Sequence, residues 1–153
     1  MGTSAITSIY SALAGLAPTY DSDVTVRVQS IGKVNEFAHT DDLPMRKLQA
    51  FQNESGSEMA FLALGTTVTV TWTVVDRFLM RHANQGAGWE EFADELTLYC
   101  ASYINILKSN RALTCGSHVE NVSFRPGIFT FPEGSAKRIA GVDVILTISE
   151  VIS

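Results

Sequence analysis

Charge is scarce in this chain. Asp, Glu, Lys and Arg together make up 18% of its 153 residues, against about a quarter in an ordinary soluble domain. A surface thin in charge leaves neutral area for contact with other chains. The charge that is present sums to −5, and an acidic chain gains little from a phosphate backbone, so general nucleic-acid binding is disfavoured. Basic residues gather only in two short groups, Arg77, Arg81 and His82, and Lys137 with Arg138. Both read as solvated surface. Cysteine is limited to Cys100 and Cys115, with no C-x-x-C or Cys/His spacing of the kind zinc requires. Cys100 falls on the apolar side of an expected helix, which makes a buried thiol its ordinary role. The spacing leaves open whether the two thiols are free or joined.

Long apolar runs are missing as well. No stretch of 18 apolar residues occurs, so no membrane-spanning helix is expected. The opening Met-Gly-Thr-Ser-Ala-Ile has neither a basic segment nor a long apolar core, so a signal peptide is not expected. Its likeness to a myristoylation start is loose, and an ordinary N-terminus is the expectation. Catalytic signatures are lacking too. There is no G-x-S-x-G elbow, no H-E-x-x-H and no phosphate-binding loop. The glycines of Gln85-Gly86-Ala87-Gly88 precede a helix, but the lysine of a phosphate-binding loop is absent and Glu90 and Glu91 would repel an anion. A turn is the better reading. Glu90, Glu91, Asp94 and Glu95 form an acidic helix face, read as solvated. His39, Asp41 and Asp42 are the one grouping with metal-ligand chemistry, but neighbours in sequence seldom point to one centre, and a polar loop is expected. Cys115 and His118, three apart, are read as coincidence. No catalytic, cofactor-binding or metal site is assigned.

What is present is a core's worth of apolar residues, 46% of the chain, in one domain over residues 1–153. Ile6, Ile9, Tyr10, Leu13 and Leu16 recur at helical spacing over residues 4–16, with Thr3 or Ser4 as the cap and Gly15 and Pro18 at the end. Val24, Val26 and Val28 alternate with polar residues and predict a strand ended by Gly32. Residues 32–65 are irregular, with Leu43-Pro44 at a turn or strand start and a possible strand from Met45 to Phe51. From Thr67 to Val74, threonine alternates with valine and tryptophan without a break, predicting a strand with one buried and one hydroxyl-bearing face. Residues 75–80 either extend it or turn into a helix. A helix is predicted from Trp89 to Leu107, with Trp89, Phe92, Leu96, Tyr99, Cys100, Tyr103 and Leu107 on its apolar stripe and its terminal charges suited to the helix dipole. Short strands follow over 111–131, with Arg125-Pro126-Gly127 as a turn and the Phe129 and Phe131 rings on one side. A last strand alternates Val142, Val144, Leu146 and Ile148 with Asp143, Ile145, Thr147 and Ser149. The expected fold class is α+β, a mainly antiparallel β-sheet with two helices packed on one face.

Four places together resemble the tail-terminator, or neck, proteins of long-tailed bacteriophages. These are the N-terminal helix, Asp41-Asp42-Leu43-Pro44 at the entry to a strand, the long strand Thr67–Phe78, and the closing strand that opens Ala140-Gly141-Val142 and ends Ser149-Glu150-Val151. Where the family often has a tyrosine before the glycine, this chain has Ala140. The resemblance implies a structural virion protein without catalytic residues, assembled in the host cytoplasm into the tail or neck. It would form a homo-oligomeric ring, a hexamer, that caps the tail tube and joins it to the head. Its implied partners are further copies of itself, the tail-tube protein and the head–tail connector, with genomic DNA passing through the pore unbound and no membrane contact.

A ring closed by rotation needs two complementary faces on each subunit. The candidates are Thr67, Thr69, Thr71 and Thr73 on the strand, Met45 and Phe51 in the segment 32–60, and Arg125, Phe129, Phe131, Lys137 and Arg138. Two other readings stand beside this one: a head–tail adaptor or tube protein, and a small metal- or ligand-binding domain centred on His39, Asp41 and Asp42.

Overall fold

The computed structural model describes residues 5–28, 43–48, 58–64, 67–84, 86, 88–114, 116–130 and 138–152. Two helices and seven strands are present among them: α1 (Ile6–Ala14), β1 (Arg27–Val28), β2 (Met45–Leu48), β3 (Glu58–Leu64), β4 (Thr67–His82), α2 (Ala93–Ser109), β5 (Ala112–Thr114), β6 (Ser117–Thr130) and β7 (Arg138–Ile152). The strands form one sheet in the order β1-β2-β4-β7-β6-β5, with β3 also paired to β4. Only the β1–β2 pair is parallel. The fold is therefore α+β with a mainly antiparallel sheet.

The alternating Thr/Val segment becomes the central strand. β4 runs 16 residues, and β7 pairs along nearly its whole length. On its other edge β3 pairs with Thr67–Thr73 and β2 with Asp76–Leu79. Alternation puts Val70, Trp72, Val74 and Phe78 of β4, and Val142, Val144, Leu146 and Ile148 of β7, on one face. Both helices cover that face. Ile9, Tyr10 and Leu13 of α1 and Leu96, Tyr99, Tyr103 and Leu107 of α2 complete a single core with those strand residues. Aromatic rings join α2 to the sheet, with Tyr99 stacked on Phe78 at 3.7 Å and Tyr103 edge-on to Tyr99 at 6.0 Å and to Phe124 at 6.4 Å.

Several sequence expectations are corrected. The Val24–Val28 strand shrinks to Arg27–Val28, both exposed. Asp21 Oδ1 accepts the Asp23 amide at 2.9 Å and Asp21 O accepts the Val24 amide at 3.0 Å, so the preceding valine lies in a turn built on aspartate. The second helix begins at Ala93 after a 3-10 turn over Trp89–Phe92, and Trp89 is exposed rather than on the buried stripe. Arg125-Pro126-Gly127 is not a turn. It lies inside β6, with Pro126 opposite Val142. β5 covers β6 only near Ser117 and His118, so among the described residues the outer edge at Pro126 has no partner strand and the missing N–H costs nothing there. Residues 75–80 continue the strand. α1 has no side-chain cap at Ala5, and Thr3 and Ser4 lie outside the described residues.

Gly141 shows how closely β4 and β7 approach. A Cβ at this position would lie 2.0 Å from the Phe78 carbonyl oxygen and 3.1 Å from the Phe129 ring. The register of β4 shifts at the same place, between Leu79 and Arg81, and glycine in the partner strand permits the close backbone approach there.

Candidate functional site

One face of the sheet carries no helix among the described residues, and it collects most of the candidate contact residues. Residues directly opposite on paired strands point to the same side. Thr73 faces Thr147, Thr71 faces Ser149, and Thr69 faces Val151. Asn121 of β6 adds to the Thr147 row. Thr67 is exposed, while Thr69, Thr71 and Thr73 are half-buried. The result is a neutral surface of hydroxyls that loses little on leaving water, because hydroxyls can exchange water for donors and acceptors on another chain.

Further along the same face, Arg77 forks onto Asp143, with Nε to Oδ1 at 2.8 Å and Nη2 to Oδ2 at 3.0 Å. Its guanidinium lies 4.3 Å from the centre of the Phe129 ring. Arg125 is opposite Asp143 on the neighbouring strand and is exposed. The structure thus brings Thr67, Thr69, Thr71, Thr73, Arg125 and Phe129 to one face. Met45 is a correction: it is 6% exposed and packs with Leu79 and Ile139, so it fills a small satellite core and offers no contact surface. Arg138 is half-buried and donates to the Asn84 carbonyl at 3.0 Å. Phe51, Phe131 and Lys137 lie outside the described residues, as do His39, Asp41, Asp42 and Cys115.

The opposite face holds three buried charges that the sequence reading passed over: Arg46, Asp76 and Glu150. Arg46 donates from Nε and Nη2 to Asp76 Oδ2 at 3.0 and 2.6 Å, and from Nη1 and Nη2 to the carbonyls of Leu16 and Leu13 at 2.6 and 2.8 Å. The Tyr103 hydroxyl donates to the same Asp76 oxygen at 2.6 Å. Burial works against the Arg46 charge, but Asp76 with Tyr103 and Tyr99 together outweigh it and the guanidinium is held protonated. Asp76 Oδ1 and the Tyr99 hydroxyl are buried without a hydrogen bond among the described residues. Glu150 accepts the Trp72 indole N–H at 2.8 Å and the Ala5 amide at the start of α1. Helix α1 has no acidic residue in its first turn and no basic residue in its last. Its positive end is met instead by Glu150 and its negative end by Arg46, both from the sheet. A signal for two of these residues was available. Asp76 and Glu150 occupy the apolar phase of their alternating strands, where a charged residue must find a partner.

The remaining chemistry-bearing groups are engaged or dispersed. His118 Nε2 lies 2.6 Å from Glu120 on the surface. Arg81 pairs with Glu95 and lies over the Phe92 ring, so the basic group at 77–82 and the acidic face of α2 partly neutralise each other. Burial pushes the Cys100 thiol up to about 11, which makes it a poor nucleophile at neutral pH. Among the described residues no three His, Cys, Asp or Glu side chains converge to hold a metal ion, and no helix is long and apolar enough to cross a membrane. No family model matches the chain, and no curated protein matches it in sequence.

Proposed function

We propose that the chain is a structural ring subunit of the tail-terminator kind, which caps a phage tail tube and joins it to the head. The observation that carries this reading is the helix-free sheet face, where Thr69, Thr71, Thr73, Thr147 and Ser149 present half-buried neutral hydroxyls instead of charges. Charged side chains there would resist removal from water. A neutral face suits repeated contact between copies, because it is desolvated at low cost and still supplies hydrogen bonds. The acidic balance of the chain, −5, favours the same role, since a pore that passes DNA must not hold phosphate. The resemblance of the strand entry at Leu43-Pro44 and of the closing strand Ala140–Val151 to the family supplies the particular position in the particle.

Electron microscopy of particles made in a host where the gene is disrupted tests the proposal. The expected products are filled heads without attached tails, and tails of irregular length. Tails of normal length joined to heads would contradict it.

A further inference from the structure

The buried carboxylate of Asp76 is satisfied on one side only. Its Oδ2 takes Arg46 Nε and Nη2 and the Tyr103 hydroxyl, at 3.0, 2.6 and 2.6 Å. Its Oδ1 makes no hydrogen bond among the described residues, and neither does the Tyr99 hydroxyl. Both side chains are fully buried, at 0% exposure. An ionised carboxylate has acceptor sites on both oxygens. A buried ion pair repays its removal from water only when the remaining lone pairs are also met. A buried phenol needs a partner for the same reason. The two unmet groups are neighbours. Tyr99 and Tyr103 lie one turn apart on α2 with ring centres 6.0 Å apart, and Tyr103 already bonds to Asp76. Tyr99 also stacks on Phe78, which stands two residues along β4 from Asp76 and on the same face. Burial first, and the Asp76 charge second, push the Tyr99 phenol well above its ordinary value, so the phenol oxygen feels that charge directly.

We infer that one water molecule is held between Asp76 Oδ1 and the Tyr99 hydroxyl, as a fixed part of the core. The roles match. The phenol donates to the water oxygen, and the water donates to Oδ1. Water is the ligand class that suits both groups. A metal cation would sit beside the Arg46 guanidinium, which already holds the Asp76 charge. Among the described residues no three His, Cys, Asp or Glu side chains converge to bind one. An anion would face the carboxylate. A direct bond between the two groups is opposed by the Phe78 stack. The rings lie 3.7 Å apart and 6° from parallel, so the hydroxyl cannot swing to Oδ1 without breaking that contact. With the water in place both oxygens of Asp76 are met. The carboxylate then joins β4 to β2 through Arg46, and to α2 through both tyrosines. Arg46 is itself held by the Leu13 and Leu16 carbonyls at the end of α1, so the seat lies beneath the helix layer. Such a water escapes only when a helix lifts from the sheet, and its residence outlasts the tumbling of the molecule. The site does not depend on the ring-subunit reading.

Two measurements on the full chain test the site. The first is a crystal structure fine enough to place ordered waters. One water peak is expected within about 2.5–3.0 Å of both Asp76 Oδ1 and the Tyr99 hydroxyl oxygen. The inference is overturned by an empty site, by density that touches only one of the two, by a peak with the coordination of a metal ion, or by a direct bond between the side chains. The second measurement counts long-lived waters in solution by oxygen-17 magnetic relaxation dispersion. Tyr99→Phe removes one of the two partners, and a buried water left with a single partner is not retained. This variant is expected to hold one long-lived water fewer than the wild type, with a thermal melt to confirm that it folds. An unchanged count overturns the inference. If the variant does not fold, the wild-type crystal alone decides.

Discussion

Arg46 and Asp76 meet on a single carboxylate oxygen, with two guanidinium nitrogens 2.6 and 3.0 Å from Asp76 Oδ2, at a point where the arginine is 1% exposed and the aspartate not at all. The pair ties the short strand β2 to the central strand β4. The remaining donors of Arg46 reach two carbonyls at the end of α1, and Tyr103 brings α2 to the same oxygen. Four elements distant in sequence are thus fixed at one buried charge pair.

Removing one member of that pair leaves the other charge buried without its partner. Arg46→Met or Asp76→Leu alone is expected to cost about 3–5 kcal/mol, a fall in Tm of roughly 6–20 °C for a domain of this size. The double variant is expected to be more stable than either single one, because it buries no unpaired charge. Thermal and urea unfolding of the three variants check this.

Gly141→Ala is expected to destabilise by about 1–3 kcal/mol, because the added methyl meets a backbone carbonyl that cannot move without parting β4 from β7. Gly127→Ala, on the paired residue of β6, has open space at its Cβ position and is expected to change stability much less. Comparison of the two urea midpoints separates the clash from the general preference of strands for residues other than glycine.

Glu150→Ala removes the acceptor at the start of α1. The expected result is faster hydrogen exchange at the Ile9 amide, which bonds to the Ala5 carbonyl, with a stability loss of about 1–3 kcal/mol. Exchange within β4 is expected to stay slow at Val74 and Phe78, since the core row beneath is intact.

Stability is expected to fall in alkali. Burial first, and the Asp76 carboxylate second, push the phenols of Tyr99 and Tyr103 well above the usual 10. The folded chain therefore keeps protons that the unfolded chain releases. With folded pKa values raised, this stabilisation is complete below about pH 10 and is lost as the pH climbs from there through the folded values. Cys100, raised from 9.0 to about 11 by burial, starts the same decline near pH 9. Urea midpoints measured from pH 8 to 11 check the slope, and Tyr103→Phe is expected to flatten it while lowering stability at every pH.

Much of the sheet is legible in the sequence because its strongest strands alternate cleanly. Thr67–Val74 and Val142–Ser149 carry period-two patterns that only a pleated surface satisfies, and the α2 residues Leu96, Tyr99, Tyr103 and Leu107 keep helical spacing. What was not legible depends on partners far along the chain. Pro126 looks like a turn residue until the outer edge of β6 is seen to lack a neighbouring strand there among the described residues. Val24–Val28 alternates, yet only two of its residues find a partner in β2. Arg46 in Met-Arg-Lys-Leu gives no local sign of burial, since its partners Asp76 and Tyr103 lie 30 and 57 residues away. Among the contact candidates, the threonine face followed from local alternation and Met45 did not, because its burial comes from Leu79 and Ile139 on other strands. The exposed apolar residues of β3 were missed for a further reason: the segment reads as irregular until β4 pairs with it.

Copies of this chain are expected to close into a ring. Native mass spectrometry of the purified full chain, with negative-stain images of the same sample, measures this most directly. The expected result is one discrete assembly of six copies with a central opening and no larger species. Open filaments, or a single chain at every concentration tested, would contradict it.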